Sequence, residues 1–116
     1  MTSDALNTYY GTTHAHKGTN NTHPEKNSLD ADASAMFASA RREGFDFLFL
    51  TEHTGDGFSG DPASSWNSSR AAARDASENG VFAAFSGYEY SDNYGPDGGH
   101  ITTVGTPDFI TSTPET

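Results

Sequence analysis

Short apolar runs alternate with polar, glycine-rich segments along this chain, and the runs predict where strands lie. The strongest run covers residues 45–51 and is apolar at almost every position, as expected for a strand that is covered on both faces. Weaker runs at residues 6–14, 81–87 and 100–105 predict three more strands. The sequence therefore predicts four strands, of which the second is the most buried.

Apolar spacing also predicts a helix over residues 29–43. Its apolar side chains recur at positions i, i+3, i+4 and i+7, which places them on one helical face: Ala33, Met36, Phe37 and Ala40. Asn27 or Ser28 is the expected N-cap, and Gly44 is well placed to end the helix. The first helix is therefore expected to be amphipathic.

A second helix is predicted over residues 63–78, opened by Pro62 and closed by Asn79-Gly80. Residues 91–99 are rich in Gly, Asp and Pro and predict a loop without a helix. The order of elements is then strand, helix, strand, helix, strand, loop, strand. This alternation predicts an α/β fold in which parallel strands alternate with helices in a sheet or barrel.

Composition limits the size and the partners of the molecule. The 116 residues suffice for one domain, residues 1–116, of which 106–116 are expected to form a flexible tail. The absence of cysteine excludes disulfides, thiolate metal sites and cysteine nucleophiles. With six Lys and Arg and a net charge of −10, the surface repels phosphate backbones and anionic lipids, so neither nucleic acid nor a membrane is an expected partner.

The apolar content is low for a chain of this charge. Leu, Ile, Val and Phe together make 16 of the 116 residues, so the chain is expected to fold marginally alone or to be one part of a larger barrel. No apolar run reaches the length of a membrane span, and the first residues lack the basic and apolar blocks of a signal peptide. A soluble protein, cytoplasmic or secreted, is therefore expected.

Five residues with metal-binding side chains lie at or near predicted strand ends. Imidazole and carboxylate are ligands that borderline divalent metals select, and in α/β barrels functional residues gather where parallel strands end. If these residues share one rim of the fold, they form a metal centre. The candidate ligands are His14, His16, His53, Glu89 and His100.

Two motifs carry the first part of this prediction. In His14-Ala15-His16 the two imidazoles share one face of an extended segment, because strand side chains alternate with period two; the alternative is two exposed polar residues at a strand end. Glu52-His53 introduces charge abruptly after the most apolar strand, with His53 as ligand and Glu52 as the partner that orients it. The alternative for this pair is an ordinary turn.

The remaining candidates carry weaker signals. Glu89 follows an apolar strand and could bridge two metals, although a surface glutamate on an edge strand fits as well. His100 follows Gly98-Gly99, whose backbone freedom would let it approach a metal, although it could equally be a loop histidine. His23 lies in a long polar loop and could reach a further ion or face solvent.

Together these motifs resemble those of the polymerase and histidinol phosphatase (PHP) family of metal-dependent hydrolases. Trp66 and the alanine-rich second helix are most similar to its carbaryl-hydrolase-type (CehA/McbA-like) branch. The resemblance covers about residues 9–105. The matching motifs occur in the family's order and are Tyr10-Gly11-x-x-His14-x-His16, Gly44 to His53, Phe85 to Glu89 and Gly99-His100-Ile101.

The resemblance implies a distorted barrel of seven β/α units with up to three divalent ions, Zn, Mn or Fe. His14 and His16 would hold one ion. Glu89 would bridge this ion to a second, which His100 would bind. Further ligands of the family, a histidine and an Asp-x-His pair, come from later strands that this sequence does not contain, so the chain is expected to be the N-terminal half of the barrel.

The resemblance also assigns the third ion and marks departures. His53 would serve that ion, and His23 lies near the position of another ligand for it. Thr12-Thr13 and Asn20-Asn21 stand where the family usually has aspartates, and Glu52-His53 stands where it commonly has Asp-His. With the ligands from later strands also missing, the site of three ions lacks several of the family's ligands in this sequence.

The activity implied is metal-dependent hydrolysis of a small-molecule phosphate ester by a metal-activated hydroxide, with Glu89 and His53 as catalytic residues. A carbamate or other ester is the second substrate class. A different function is also open, namely a truncated fragment that binds metal without turnover. A third possibility is that a second copy or a partner chain completes the barrel.

Overall fold

A computed structural model describes residues 5–17, 32–54, 61–91 and 99–110. The described residues form a mixed α/β structure with two helices and one curled, half-barrel sheet, whose four strands lie side by side in chain order. The α/β class is therefore confirmed, and a partial barrel is compatible with the curled sheet. The elements are β1 (Gly11–Thr12), α1 (Ala33–Arg42), β2 (Phe47–His53), α2 (Pro62–Ala76), β3 (Ala83–Ser91) and β4 (His100–Val104).

The direction of β4 differs from the expectation that all strands are parallel. β1, β2 and β3 are parallel to one another, whereas β4 is antiparallel to β3, with Ser91 paired to His100. Only residues 92–99 separate these strands, and a parallel connection needs a crossover of about a dozen residues or more. An antiparallel return brings the first residue of β4 to the end of the sheet where β2 and β3 finish.

The first strand is much shorter than the predicted 6–14. Its ladder with β2 consists of Gly11 opposite Phe47 and the following pair. Leu6, Tyr9 and Tyr10 are exposed, so the apolar residues before the strand have no buried face to occupy. Beyond β1, the chain stays beside β2 because the Thr51 amide donates to the Ala15 carbonyl at 2.9 Å.

The first helix begins later than predicted. Asp32 is its N-cap, and the Ala35 amide donates to Asp32 Oδ1 at 2.8 Å, whereas the predicted caps Asn27 and Ser28 lie outside the described residues. Gly44 has a φ of 88°, the left-handed conformation that the predicted C-terminal glycine requires.

The second helix starts at Pro62 as predicted and ends at Ala76. It stops before residue 78 because the Ser77 hydroxyl donates to the Ala73 carbonyl at 2.9 Å and accepts from the Ala84 amide at 3.0 Å, which joins the helix end to β3. Among the described residues, no helix has the length and apolar character needed to cross a membrane.

The two faces of the sheet bury different side chains. Leu48 and Leu50 of β2 point to the helices and form the core with Phe37 of α1 and residues of α2 and β3. The alternate residues of β2 and β3 lie on the opposite face, where Phe49 and Phe85 stack with ring centroids 4.3 Å apart. This second face carries apolar rings near the start of the strands and the candidate ligands near their ends.

Two smaller features fix β3 against its neighbours. Gly87 lets β4 approach closely, because a Cβ there would lie 2.5 Å from the Thr103 carbonyl oxygen. On the other face, Tyr88 packs with Trp66 and Phe109. The segment after β4 is thereby joined to α2, since Trp66 Nε1 donates to the Pro107 carbonyl at 3.2 Å.

Candidate metal centre

The ends of four strands converge at one rim of the sheet and carry the predicted ligands there. His53 is the last residue of β2 and lies opposite Glu89 of β3 in the ladder. His100 opens the antiparallel β4 beside the end of β3. His14 and His16 follow directly after β1. The antiparallel return of β4 explains how the first residue of one strand joins the last residues of the others.

Glu89 is the centre of the cluster and is buried. Its Oε2 lies 3.3 Å from His14 Nε2, 3.1 Å from His16 Nε2 and 3.7 Å from His53 Nε2; its other oxygen, Oε1, lies 2.5 Å from His100 Nδ1. One carboxylate therefore faces all four imidazoles.

The donor atoms fall into two groups of three that share this carboxylate. One group is His14, His16 and Glu89, and the other is His53, Glu89 and His100; within each group the donor atoms lie within 4.8 Å of one another. Imidazole nitrogens with a bridging carboxylate suit Zn, Mn or Fe. The chemistry of the residues present therefore fits divalent metal ions, which each of the two groups could hold.

The family resemblance assigns His53 to a third ion, and that assignment stays a prediction. In the structure the donor atom of His53 lies near those of His100 and Glu89. Its ring stacks on His16 at 4.8 Å and meets the His100 ring edge-on at 5.0 Å. The possible ligand His23 lies outside the described residues.

Two threonines that the sequence did not single out contact His14. Its Nδ1 lies 3.2 Å from Thr51 Oγ1 and 3.0 Å from Thr102 Oγ1. A hydroxyl can accept from Nδ1–H, so these contacts are compatible with the tautomer in which Nδ1 carries the proton and Nε2 is free to bind a cation. Their positions in the sequence could have indicated this role. Each threonine lies two residues from a candidate ligand and therefore on the same face of its strand as that ligand.

Glu52 is fully buried, and its Oε1 accepts a hydrogen bond of 2.5 Å from the Lys17 amide. The sequence interpretation made Glu52 the partner that orients His53, and that role stays a prediction. The bond to Lys17 instead connects Glu52 to the chain immediately after His16.

The neighbouring imidazoles affect protonation at the centre of the cluster. The pKa of His16 is lowered from 6.5 to about 4, mainly by burial and also by the positive charges that His53 and His14 can carry, while Glu89 opposes the shift. His16 is therefore neutral at neutral pH, which is the form that binds a cation.

The metal-free protein should lose stability between about pH 6.5 and pH 4 because of His16. In this interval the unfolded chain protonates His16 whereas the folded chain keeps it neutral, so the unfolded state binds more protons and is favoured as pH falls. Urea unfolding with chelator at pH 7 and pH 4.5 should show a larger loss for the wild type than for His16→Gln. Equal losses in both chains would contradict the lowered pKa.

Comparisons with protein-family models, with curated proteins and with solved structures give no significant match. What the structure itself offers is two groups of His and Glu donor atoms that could each hold a metal ion.

Proposed function

We propose that this chain is a metal-dependent hydrolase that acts on small phosphate esters at a dinuclear centre bridged by Glu89. The observation that carries the proposal is the pair of three-donor groups sharing one buried carboxylate. Single histidine clusters are common on protein surfaces, but two groups joined by a common carboxylate match the requirement of two-metal hydrolysis.

The roles of the side chains follow from this grouping. His14 and His16 would hold one cation, and His53 and His100 would hold the other. Three protein donors for each ion leave positions for water and substrate, as catalytic sites require and closed structural sites do not provide. Two bound cations would supply Lewis acidity at the substrate oxygen and would lower the pKa of water towards neutrality.

Charge favours an anionic ester as the substrate. The chain carries a net charge of −10, and a phosphate ester would be repelled by most of its surface. The two donor groups include a single carboxylate, Glu89, so two divalent cations would leave the loaded centre strongly positive. An anion is therefore attracted to this rim in particular, which agrees with the phosphate-ester chemistry implied by the PHP resemblance.

The same resemblance leads us to propose that the four-stranded sheet is the first part of a PHP-type barrel. The apolar rings of Phe49 and Phe85 lie on the same face of the sheet as the candidate ligands His53 and Glu89. In a closed barrel such rings would be interior. Further strands, from a second copy of the chain or from another chain, would then complete both the barrel and the ligand set.

Hydrolysis assays test the proposal directly. The chain incubated with Mn²⁺ or Zn²⁺ should hydrolyse p-nitrophenyl phosphate or its diester, and chelator should reduce the rate to that of buffer. His16→Ala should abolish the activity, whereas Glu43→Gln, which changes an exposed carboxylate just after α1, should retain it. Hydrolysis of p-nitrophenyl acetate alone would favour a carboxyl-ester substrate. Metal binding without any turnover would reject the hydrolase and favour a metal-binding fragment.

A further inference from the structure

The segment that carries His14 and His16 is held to β2 by two side chains and by the backbone bond between Thr51 and Ala15, rather than by a long strand ladder. β1 ends at Thr12, so the amides of the next residues need other partners. The Ala15 amide donates to Thr51 Oγ1 at 3.3 Å, and the Lys17 amide donates to Glu52 Oε1 at 2.5 Å. Consecutive residues of β2 therefore hold this segment at alternate positions, before and after His16.

Burial of a carboxylate at position 52 has a high cost in free energy. Glu52 is only 1% exposed, and transfer of a charged group from water to the interior costs several kcal/mol unless hydrogen bonds compensate for it. A chain with a small apolar core has little stability with which to offset that cost. The burial of this carboxylate therefore points to a role that a smaller or apolar side chain would not fill.

The hydrogen bond from Lys17 shows what that role is. The bonded amide belongs to the peptide group that directly follows His16, and a backbone N–H bound to a carboxylate forms a strong, charge-assisted hydrogen bond. On the other side of His16, Ala15 is fixed to Thr51. With both flanking residues held, the His16 backbone is constrained and its Nε2 lies 3.1 Å from Glu89 Oε2.

We propose that Glu52 is a positioning residue that sets the place of His16 through the Lys17 amide. It acts on the group formed by His14, His16 and Glu89 and leaves the group formed by His53, Glu89 and His100 in place. The effect on metal binding rests on the proposed function, whereas the effect on the His16 ring does not.

Two variants and one control distinguish the positioning of His16 from a general contribution of Glu52 to the stability of the fold. Glu52→Asp shortens the side chain by one methylene and withdraws the acceptor from Lys17, whereas Glu52→Gln keeps an acceptor oxygen at the same reach. Glu43→Asp makes the same shortening at an exposed position. We expect Glu52→Gln to remain close to the wild type and Glu52→Asp to differ from it.

The first measurement uses the metal-free chain. In ¹H–¹⁵N spectra of the imidazole rings, Glu52→Asp should move the His16 signals and leave those of His100 in place, and neither Glu52→Gln nor Glu43→Asp should do so. Unchanged His16 signals in Glu52→Asp would overturn the proposal. Equal movement of both rings, or unfolding of both Glu52 variants, would also overturn it by showing a general structural role.

The second measurement is a titration with Mn²⁺. If the wild-type chain binds two ions, Glu52→Asp should weaken one of them by roughly 10–100-fold, as loss of a partner that supports a ligand does, and the other should keep its affinity. Equal weakening of both ions would overturn the positioning role. A wild-type chain that binds no Mn²⁺ would refute the proposed function, and the ring spectra would still decide the role of Glu52.

Discussion

Glu89→Gln should remove both metal ions and all metal-dependent hydrolysis at once. The amide keeps the shape of the side chain but loses the negative charge and one acceptor oxygen, and the same oxygen pair faces four imidazoles in the wild type. The loss of affinity should exceed the roughly 10–100-fold expected when only a supporting partner is removed. Elemental analysis after dialysis against Zn²⁺ should find two ions per wild-type chain and close to none in the variant.

A matched change elsewhere gives the control for this experiment. Glu43→Gln makes the same substitution at an exposed carboxylate and should leave both ions bound. His100→Ala provides a second comparison, because it should remove the ion shared with His53 and leave the one held by His14 and His16. A Glu89→Gln chain that still bound one ion would mean that Glu89 does not bridge two sites.

Phe37→Ala should cost the fold about 3–5 kcal/mol, which is typical of deleting a fully buried aromatic side chain. Phe37 is 0% exposed and joins α1 to Leu48 and Leu50 of β2. Native proteins have a free energy of unfolding of only about 5–15 kcal/mol, so this substitution should remove a large share of it. Urea unfolding followed by circular dichroism should show a much lower midpoint or a chain already unfolded in buffer.

The neighbouring residue supplies the control for the core experiment. Met36 is half-buried and packs against the edge of the same core, so Met36→Ala should lower the stability by a smaller amount. If both substitutions lowered the urea midpoint equally, the core would not be centred on Phe37.

The elements that could be predicted from the sequence are those with a strong local signal. The apolar run predicted over residues 45–51 contributes the first five residues of β2 (Phe47–His53), and the turn glycine Gly44 lies as expected. Continuous apolar sequence and a left-handed turn each have a direct cause in nearby residues. The length of β1 and the direction of β4 depend on which strand lies alongside each of them. That pairing is made between residues far apart in the sequence, so local pattern does not predict it.

The same distinction applies to the candidate site. The rim position of His14, His16 and His53 could be predicted, because each lies at or just after the end of a predicted strand and parallel strands end at a common edge. The grouping of His53 with His100 could not, since it depends on the antiparallel return of β4.

The contacts that support the ligands were harder still to predict. Thr51 and Thr102 reach His14 from two different strands, and Glu52 accepts from the backbone amide of Lys17. The identity of a residue does not reveal that its backbone amide is bound by a side chain elsewhere in the fold. Residues of this kind become visible only when the distances between strands are known.

The number and the coupling of the bound ions test the central claim most directly. Wild-type chain titrated with Mn²⁺ and followed by electron paramagnetic resonance should bind two ions, and the second should produce the spectrum of an exchange-coupled pair, because one carboxylate, that of Glu89, is shared between the two donor groups. Binding of a single ion, or of two ions with uncoupled spectra, would contradict a dinuclear centre bridged by Glu89.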